Sequence, residues 1–491
     1  MKIGFLSLGC PKNLVDGEVM LGIAQHAGHE LTADAASADV LVVNTCAFID
    51  SAKQESIDAI LEMAQLKQTG NCSRLVVTGC LAERYRDELQ REIPEIDAVL
   101  GTGEVDQILG ALGDRDVERG MRDADGGDGD AGRGVRGAEG VSALPFFSKA
   151  FSTRQPATRT PDPAPRIPAL PTYLYDAETP RLLTTPRHFA YVKVAEGCDY
   201  TCAFCIIPTL RGKFRSRGAD SILREARNLA ERGVKELLLI SQDTTFYGID
   251  QGERGALARL LRELNRIDGL EWIRLLYLYP TTITDDVLAA MAECEKVCRY
   301  VDLPLQHASA GVLKRMRRPG DRRTYDKLLA RIRATVPDVT LRTTLIVGFP
   351  GETDEEFREL EQFVADTRFD HVGVFTYSHE EGTRAFALTD DVPTAIKRQR
   401  RHALMSRQKS LVAAAQKARI GREVEVLVDG PSAEHELVVE GRLRGQAPDI
   451  DPVVFLTDCN PAEYQAGDLI RARIVGARGY DLIAAPTGAS A

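Results

Sequence analysis

Two long stretches of the sequence alternate strand-like and helix-like segments, and this alternation constrains the fold more than any other feature. The first stretch contains the apolar runs KIGFLSL, DVLVVNT and RLVVTG, separated by amphipathic segments such as SAKQESIDAILEMAQ. Strands that alternate with helices form a parallel sheet covered by helices. Residues 1–112 therefore predict an α/β domain with a flavodoxin-like parallel sheet.

The second stretch, residues 188–415, repeats the alternation six times. Its apolar runs are HFAYVKVAEGC, KELLLISQD, WIRLLYLYP, YVDLPLQH, LRTTLIVGFP and HVGVFTYS. Thr353 and Glu356 stand at capping-box spacing before one of the helices. Six repeats fall short of an eight-stranded barrel, so this stretch predicts a partial (βα)6 barrel. In such barrels the functional residues lie at the C-terminal ends of the strands.

The remaining regions have a different composition. Residues 113–187 are rich in Gly and Asp and then in Pro, which predicts a flexible linker or insertion. Residues 416–488 follow a long charged helix and contain short β-type runs such as REVEVLVDG, which predict a small antiparallel β-barrel. From 421 to the C-terminus there are six Arg against twelve Asp plus Glu, a formal charge of -6.

Composition narrows the class of protein. The chain of 491 residues is 44% hydrophobic with a net charge of -10, which argues against nonspecific coating of nucleic acid. No apolar stretch reaches membrane-spanning length, and the opening apolar run is broken at Pro11. We therefore expect a cytoplasmic protein without membrane contact. Ten cysteines in a reducing compartment suggest metal or redox chemistry.

Three of these cysteines stand in one loop, GCDYTCAFC, directly after the first barrel strand. We call Cys198, Cys202 and Cys205 the loop triad. Structural zinc needs four ligands, and no Cys or His lies just downstream to supply the fourth. Clustered thiolates also bind iron–sulfur clusters, and a 4Fe–4S cluster held by three cysteines leaves one iron open to another ligand. The spacing favours the cluster over zinc.

Three further cysteines each follow a predicted strand of the first domain. We call Cys10, Cys46 and Cys80 the strand-end triad. Ligands of open parallel sheets bind outside the carboxyl ends of the strands, so these thiols are expected to converge at one edge. The alternative is three buried packing thiols, which are common among free cysteines.

The loop triad, together with the aromatic Phe204 before its last cysteine, resembles the radical S-adenosylmethionine superfamily. The resemblance implies a 4Fe–4S cluster whose open iron binds S-adenosylmethionine. Electron transfer then cleaves the cofactor and yields a radical that abstracts hydrogen from an unreactive C–H bond. Ser241, Gln242 and Gly348 follow barrel strands and, with Phe204, are the expected cofactor contacts. Ordinary loop packing is the alternative for each of them.

The order of the three domains is similar to that of the methylthiotransferases, whose terminal domain is a TRAM module. This resemblance implies a second 4Fe–4S cluster on the strand-end triad, which provides the sulfur of the methylthio group. One S-adenosylmethionine would supply the methyl group and another the radical. The insertion at 113–187 is longer than the family usually has.

The segment LGCPKNLVDGE resembles the branch that modifies a ribosomal protein, although Gly17 stands where a serine is more usual. The implied substrate is an aspartate β-carbon of small-subunit ribosomal protein twelve, either free or in the assembled subunit. The implied electron donor is a flavodoxin or ferredoxin, and the protein is expected to be a monomer. The alternatives are methylthiolation of adenosine in tRNA and a noncatalytic, zinc-stabilised module that binds RNA or ribosomes.

Most other features are expected to be structural. Cys294 and Cys298 are predicted to share one face of a helix and to pack there. Two basic runs, LKRMRRPGDRR (313–323) and KRQRRH (397–402), are interpreted as solvated helix ends, with contact to ribosomal RNA as the alternative. His307 follows a barrel strand, where it either lines the active site or makes a structural hydrogen bond.

Overall fold

A computed structural model of the chain describes residues 1–113, 170–432 and 437–487. Most of the predicted linker at 113–187 lies outside the described residues. The contacts of the chain divide it into two compact units. Unit 1 comprises residues 1–185 and 206–213, and unit 2 comprises 186–205 and 214–491.

Unit 1 contains a five-stranded sheet in the order β2-β1-β3-β4-β5, and every neighbouring pair is parallel. This is the strand order of flavodoxin-like folds. The three predicted strands are present, and two three-residue edge strands that the sequence did not predict complete the sheet. The bounds are β1 Lys2–Ser7, β2 Glu30–Thr32, β3 Val40–Thr45, β4 Arg74–Gly79 and β5 Ala98–Leu100.

The helices of unit 1 cover this sheet. A core of Leu, Val, Ile and Ala side chains joins β3 and β4 to the amphipathic helix that the sequence predicted. The helices are Pro11–His26, Asp50–Thr69, Cys80–Arg84, Arg86–Glu92, Ile108–Leu112 and Ile207–Arg211.

The last part of the predicted linker packs against unit 1. The Glu18 carboxylate accepts hydrogen bonds from Arg181 Nη2 at 2.6 Å and from the Thr184 amide at 2.7 Å. Tyr175 is buried. These contacts hold residues 170–185 in place, so the flexible segment predicted as far as 187 does not extend through them.

Unit 2 contains all six predicted barrel strands, in two parallel sheets ordered β6-β9-β10 and β11-β12-β13. The two sheets are joined by single backbone hydrogen bonds, such as that from the Leu278 amide to the Asp302 carbonyl at 2.9 Å. The bounds are β6 Phe189–Lys193, β7 Ala195–Glu196, β8 Arg215–Ser216, β9 Glu236–Ile240, β10 Trp272–Leu275, β11 Tyr300–Asp302, β12 Thr340–Val347 and β13 His371–Thr376.

Helices alternate with these strands. The predicted capping box at Thr353 and Glu356 is present. The helix predicted to carry both Cys294 and Cys298 is shorter than expected: it ends at Glu293, because the Cys298 amide bonds instead to the Ile273 carbonyl at 2.8 Å. The helices are Ala219–Glu231, Ala256–Leu264, Asp285–Glu293, Ala310–Arg315, Arg322–Thr335, Asp354–Thr367 and Thr394–Lys417.

The C-terminal strands of unit 2 form a closed barrel in the order β14-β15-β16-β18-β17. The pair β16–β18 is parallel, whereas the sequence predicted an antiparallel barrel. A closed ring with an odd number of strands cannot alternate direction at every step, so at least one pair must be parallel. The bounds are β14 Glu423–Pro431, β15 Val439–Arg442, β16 Val454–Leu456, β17 Leu469–Arg478 and β18 Asp481–Pro486.

Ion pairs attach this small barrel to the larger one within unit 2. Glu236, which is fully buried at the start of β9, accepts from Arg274 at 2.7 Å and from Arg442 of β15 at 2.6 Å. The two guanidinium groups lower the pKa of this carboxyl against the opposing effect of burial, so it remains charged. In the described part of the chain, no helix combines the length and apolar character needed to cross a membrane.

Candidate metal and cofactor sites

The strand-end triad lies along one edge of the unit 1 sheet, as the sequence predicts. Cys46 and Cys80 directly follow β3 and β4, and Cys10 follows β1 after a short turn. These three strands are neighbours in the sheet. Gly9 in the turn has φ +94°, and a Cβ atom there would lie 2.8 Å from Cys46 Cβ and 3.1 Å from its Sγ. Glycine therefore lets the Cys10 turn approach Cys46 closely.

Polar side chains fix the backbone around this triad. Asn13, from the Cys-Pro-Lys-Asn segment, donates to the Leu8 carbonyl at 2.7 Å and to the Thr45 carbonyl at 3.2 Å, which ties the ends of β1 and β3 together. The Ser56 hydroxyl accepts from the Cys46 amide at 3.0 Å and donates to the Cys46 carbonyl at 2.9 Å. Asn13 and Ser56 thus fix the backbone near Cys10 and at Cys46.

The three thiols are close enough to affect one another electrostatically. Burial raises the pKa of Cys46 to about 12, with further contributions from the Cys80 and Cys10 thiols. Burial also raises the pKa of Cys80, against the effect of the nearby Arg211 guanidinium. Arg211 Nη2 lies 3.5 Å from Cys80 Sγ. Thiols in this environment become thiolates when a bound cation compensates their charge.

The loop triad of unit 2 follows the first barrel strand. The loop is attached to the barrel through the Ala203 amide, which donates to the Met316 carbonyl at 2.8 Å. Phe204 is half-buried and packs against an apolar cluster that includes Phe349 and Tyr377. Burial raises the pKa of the Cys198 thiol to about 11, and neighbouring Cys202 adds to the effect.

Tyr200 makes a second attachment between this loop and the barrel. Its hydroxyl donates to Asp243 Oδ2 at 2.8 Å, and its ring stacks on Tyr279 with centroids 3.9 Å apart. The Arg318 guanidinium also lies on the Tyr279 ring, 4.3 Å from its centroid. Arg318 Nη1 is 3.8 Å from Cys202 Sγ. Arg318 is buried, so the interpretation of run 313–323 as solvated surface is wrong for this residue.

Polar groups collect at the C-terminal ends of the barrel strands. Lys193, the last residue of β6, forms a buried ion pair with Glu196 of β7 at 2.6 Å, and Gln242 Nε2 donates to the same carboxylate. Gln242 Oε1 is buried without a hydrogen-bond partner among the described residues. The same is true of Gln306 Oε1, on a residue with φ +71° that sequence reasoning did not single out.

Two of the residues predicted to contact the cofactor, Ser241 and Gly348, lie close to other groups of the protein. Ser241 is fully buried, with its hydroxyl oxygen 3.4 Å from that of Thr244. Gly348 has φ +74°, and a Cβ atom there would lie 2.3 Å from Lys397 Cγ. The Gly348 amide donates to the Glu352 carboxylate. For both residues the cofactor contact stays a prediction.

His307 belongs to the same set of strand ends and is fully buried. Its Nδ1 accepts a hydrogen bond from the Ser309 amide at 3.0 Å, and its Nε2 has no partner among the described residues. Burial lowers its pKa to about 3, and Arg315 and Arg400 contribute in the same direction. The imidazole is therefore neutral at physiological pH.

The donor sets of both triads suit an iron–sulfur cluster. Each offers three thiols, the soft ligands that such clusters take, and an arginine beside one sulfur. Within residues 1–113, 170–432 and 437–487, no group of three or more His, Cys, Asp or Glu side chains is arranged to hold a metal ion. A cluster with several irons offers each cysteine a different metal atom, so its ligands need not converge on one point.

Three families match successive parts of the chain. Residues 2–101, which carry the strand-end triad, match the uncharacterized protein family UPF0004. Residues 192–364, which carry the loop triad, match the Radical SAM superfamily. Residues 420–486 match the TRAM domain.

Relatives extend over nearly the whole chain. A protein from Koribacter versatilis named ribosomal protein uS12 methylthiotransferase RimO is 48% identical, covering 98% of this chain and 96% of its own length. The chain belongs to the RimO family. Another protein of that name, from Solibacter usitatus, is 45% identical over 98% of this chain and 94% of its own.

A solved structure agrees with the fold of this RimO-family chain. The radical S-adenosylmethionine methyltransferase TsrM from Kitasatospora setae aligns with a TM-score of 0.50 and 16% identity, covering 76% of this chain and 72% of that one. The Radical SAM match implies S-adenosylmethionine and a 4Fe–4S cluster as cofactors. The predicted fold class, a parallel α/β domain followed by a radical barrel and a TRAM-like β-barrel, is confirmed.

Proposed function

We propose that this protein is a transferase that adds a methylthio group to the β-carbon of an aspartate in ribosomal protein uS12. The observation that carries the proposal is the 48% identity to a uS12 methylthiotransferase over 98% of the chain. The Cβ–H group of an aspartate is too weakly acidic for a general base to remove its proton unassisted, so abstraction of a hydrogen atom by a radical suits this position.

Each triad, in this proposal, holds one 4Fe–4S cluster. The loop triad supplies Cys198, Cys202 and Cys205, and the strand-end triad supplies Cys10, Cys46 and Cys80. Three cysteines leave one iron of each cluster open. When bound, S-adenosylmethionine and the two clusters supply the radical, the methyl group and the sulfur.

The barrel residues bind and orient the cofactor. Glu196, which Lys193 neutralises, fixes the Gln242 side chain. Gln242 Oε1 has no hydrogen-bond partner in the described part of the chain, so it can accept a hydrogen bond from the cofactor without reorganisation. Gln306 offers a second acceptor beyond β11. Phe204 contributes an apolar wall beside the loop triad. Ser241 and Gly348 are the further contacts proposed from the sequence.

The charge of the C-terminal region favours a protein substrate over RNA. Its six Arg against twelve Asp plus Glu would repel a phosphate backbone and attract a basic ribosomal protein. We assign the parts as 1–112 methylthiotransferase domain, 113–187 linker or insertion, 188–415 radical barrel and 416–488 TRAM-like barrel. The reductant is a flavodoxin or ferredoxin, and the enzyme acts as a monomer in the cytoplasm.

The test is a paired anaerobic assay with reductant, sulfide and S-adenosylmethionine. One reaction contains small ribosomal subunits that lack the modification, and the other contains unmodified tRNA. Mass spectrometry should find a methylthio group on an aspartate of uS12 and none on tRNA. A methylthio group on adenosine instead would overturn the assignment of uS12 as the substrate. A colourless protein that binds zinc after anaerobic purification would overturn the enzyme.

A further inference from the structure

A buried arginine stands beside one sulfur of each triad. Arg211 Nη2 lies 3.5 Å from Cys80 Sγ in unit 1, and Arg318 Nη1 lies 3.8 Å from Cys202 Sγ in unit 2. Both distances are within the range of N–H···S hydrogen bonds. The two arginines have exposures of 2% and 8%, so little water screens their charge at the sulfur.

Other contacts hold each guanidinium in place. Arg211 forms an ion pair with Asp16 at 2.6 Å, and its Nη2 also lies 3.3 Å from Asn13 Oδ1. Arg318 donates to the Pro304 carbonyl and lies on the Tyr279 ring. Arg318 makes no salt bridge with any residue that the structure describes, so its charge is less compensated than that of Arg211.

Charged hydrogen-bond donors at cluster sulfurs affect the two oxidation states unequally. The reduced cluster carries one more negative charge than the oxidised cluster, and part of that charge resides on its cysteine sulfurs. A guanidinium beside a ligand sulfur therefore stabilises the reduced state more and raises the reduction potential.

We propose that Arg211 and Arg318 are positioning residues that donate hydrogen bonds to the cluster-bound sulfurs of Cys80 and Cys202, each raising the reduction potential of its own cluster. The inference rests on the proposed function, because it needs a cluster on each triad. In the redox step a one-electron reductant is oxidised and the cluster accepts that electron, with no bond formed or broken.

Each cluster is titrated alone in the full-length chain. Changing the loop triad to alanine leaves only the strand-end cluster, and R211Q is introduced there. R318Q is introduced into the reciprocal background. The protein is titrated anaerobically with titanium(III) citrate, and EPR follows the reduced cluster. We expect R211Q to lower the equilibrium constant for one-electron reduction at least tenfold, about 59 mV. R318Q should produce a larger shift, because the Arg318 charge has no salt-bridge partner among the described residues.

A matched control separates the hydrogen bond from general loss of charge. Arg84 is also buried in unit 1, but its Nη1 donates to the Ala47 carbonyl at 3.2 Å. R84Q should change the reduction equilibrium less than threefold. R211K keeps the charge but loses the planar fork, and its shift should lie between those of R84Q and R211Q.

Iron content and circular dichroism are measured on every variant. Because R211Q leaves Asp16 buried without this partner, the double variant D16N/R211Q is measured as well, and it should show the same direction of shift. An unchanged potential with full iron content would overturn the proposal, as would equal shifts in R84Q and R211Q. Loss of iron from a folded R211Q variant would show that Arg211 is needed to retain the cluster, and it would overturn the proposed effect on the reduction potential. If one triad holds no cluster, the proteins with both arginines intact will already lack the iron of that cluster. This result would overturn the two-cluster assignment and is distinct from a failure of the arginine proposal.

Discussion

The two cysteine triads are built in different ways. The loop triad comes from eight consecutive residues, so its spacing is fixed by local sequence. The strand-end triad follows three strands that lie between residues 2 and 79, and it exists only when the sheet has formed. One chain can therefore bring three thiols together either by a local motif or by the topology of a sheet, and the second kind depends on the packing around it.

The supporting contacts differ accordingly. The strand-end triad relies on Asn13 and Ser56, which fix the ends of β1 and β3. The loop triad is already close in sequence, and its contacts attach the whole loop to the barrel through Ala203 and Tyr200. Disturbing one support should therefore affect one cluster and spare the other.

Removing the triads separately should give the largest and clearest contrast. Changing all three cysteines of the loop triad to alanine should abolish both cleavage of S-adenosylmethionine and methylthio transfer. The same change in the strand-end triad should abolish methylthio transfer while leaving production of 5′-deoxyadenosine. Chromatography and mass spectrometry measure both products. Methylthio transfer by the second variant would contradict the separate roles.

A substitution at Gly9 tests how closely topology must bring the strand ends together. Gly9→Ala places a Cβ atom 2.8 Å from Cys46 Cβ, whereas Gly28 has a similar positive φ and no neighbour within 4 Å of such an atom. Both variants should lose about 1–2 kcal/mol of unfolding free energy from the left-handed conformation. Gly9→Ala alone should also lose the iron of the strand-end triad, as measured by urea unfolding and iron analysis.

Equal iron content in the two glycine variants would mean that the turn at Gly9 can relax. The triad would then depend less on close packing than the geometry indicates.

A milder test concerns the attachment of the loop triad. Tyr200→Phe removes the 2.8 Å hydrogen bond to Asp243, while the Thr245 amide still donates to that carboxylate at 2.9 Å. We expect a loss of about 1 kcal/mol and faster bleaching of the loop cluster in air. Tyr247→Phe is the matched control, since its hydroxyl donates to the Arg217 carbonyl at 3.0 Å. Equal bleaching rates would argue against the attachment.

Changing His307 should have the smallest effect on the two clusters: it lies near the barrel site and should leave the strand-end triad unaffected. Its folded-state pKa, about 3, is below the ordinary value of 6.5 because of burial. Between these values the unfolded chain binds the extra proton, so stability is lost as pH falls from about 6.5 towards 3. His307→Asn should make the unfolding free energy less dependent on pH in this window. An unchanged slope would refute a buried neutral imidazole.

Both cysteine triads and most of the fold could be predicted from the sequence. The loop triad is visible as a motif, and the strand-end triad follows from the rule that parallel strands share their carboxyl edge. The three-residue edge strands β2 and β5 were missed because neither lies in a long apolar run such as the one that marks β11. The burial of Lys397 and Arg400 was also missed, since the run around them is strongly basic. They lie three residues apart on the face of their helix that also buries Leu404.

The arginines beside the sulfurs could not be predicted, for a physical reason. Arg211 is 131 residues from Cys80, and Arg318 is 116 residues from Cys202. Only tertiary packing brings the arginine and the cysteine of each pair together, and no local periodicity of the sequence predicts this contact. Arg318 in particular lies in a basic run whose composition indicates a solvated surface.

The assignment of two clusters is tested most directly by the iron and sulfide content of the full chain after anaerobic reconstitution, combined with Mössbauer spectroscopy. Two clusters predict about eight iron atoms and eight sulfides per chain. Either triad changed to alanine should halve both values and keep the spectrum of a 4Fe–4S cluster. About four irons in the unmodified chain, unaffected by changing the strand-end triad, would contradict the assignment of a second cluster to β1, β3 and β4.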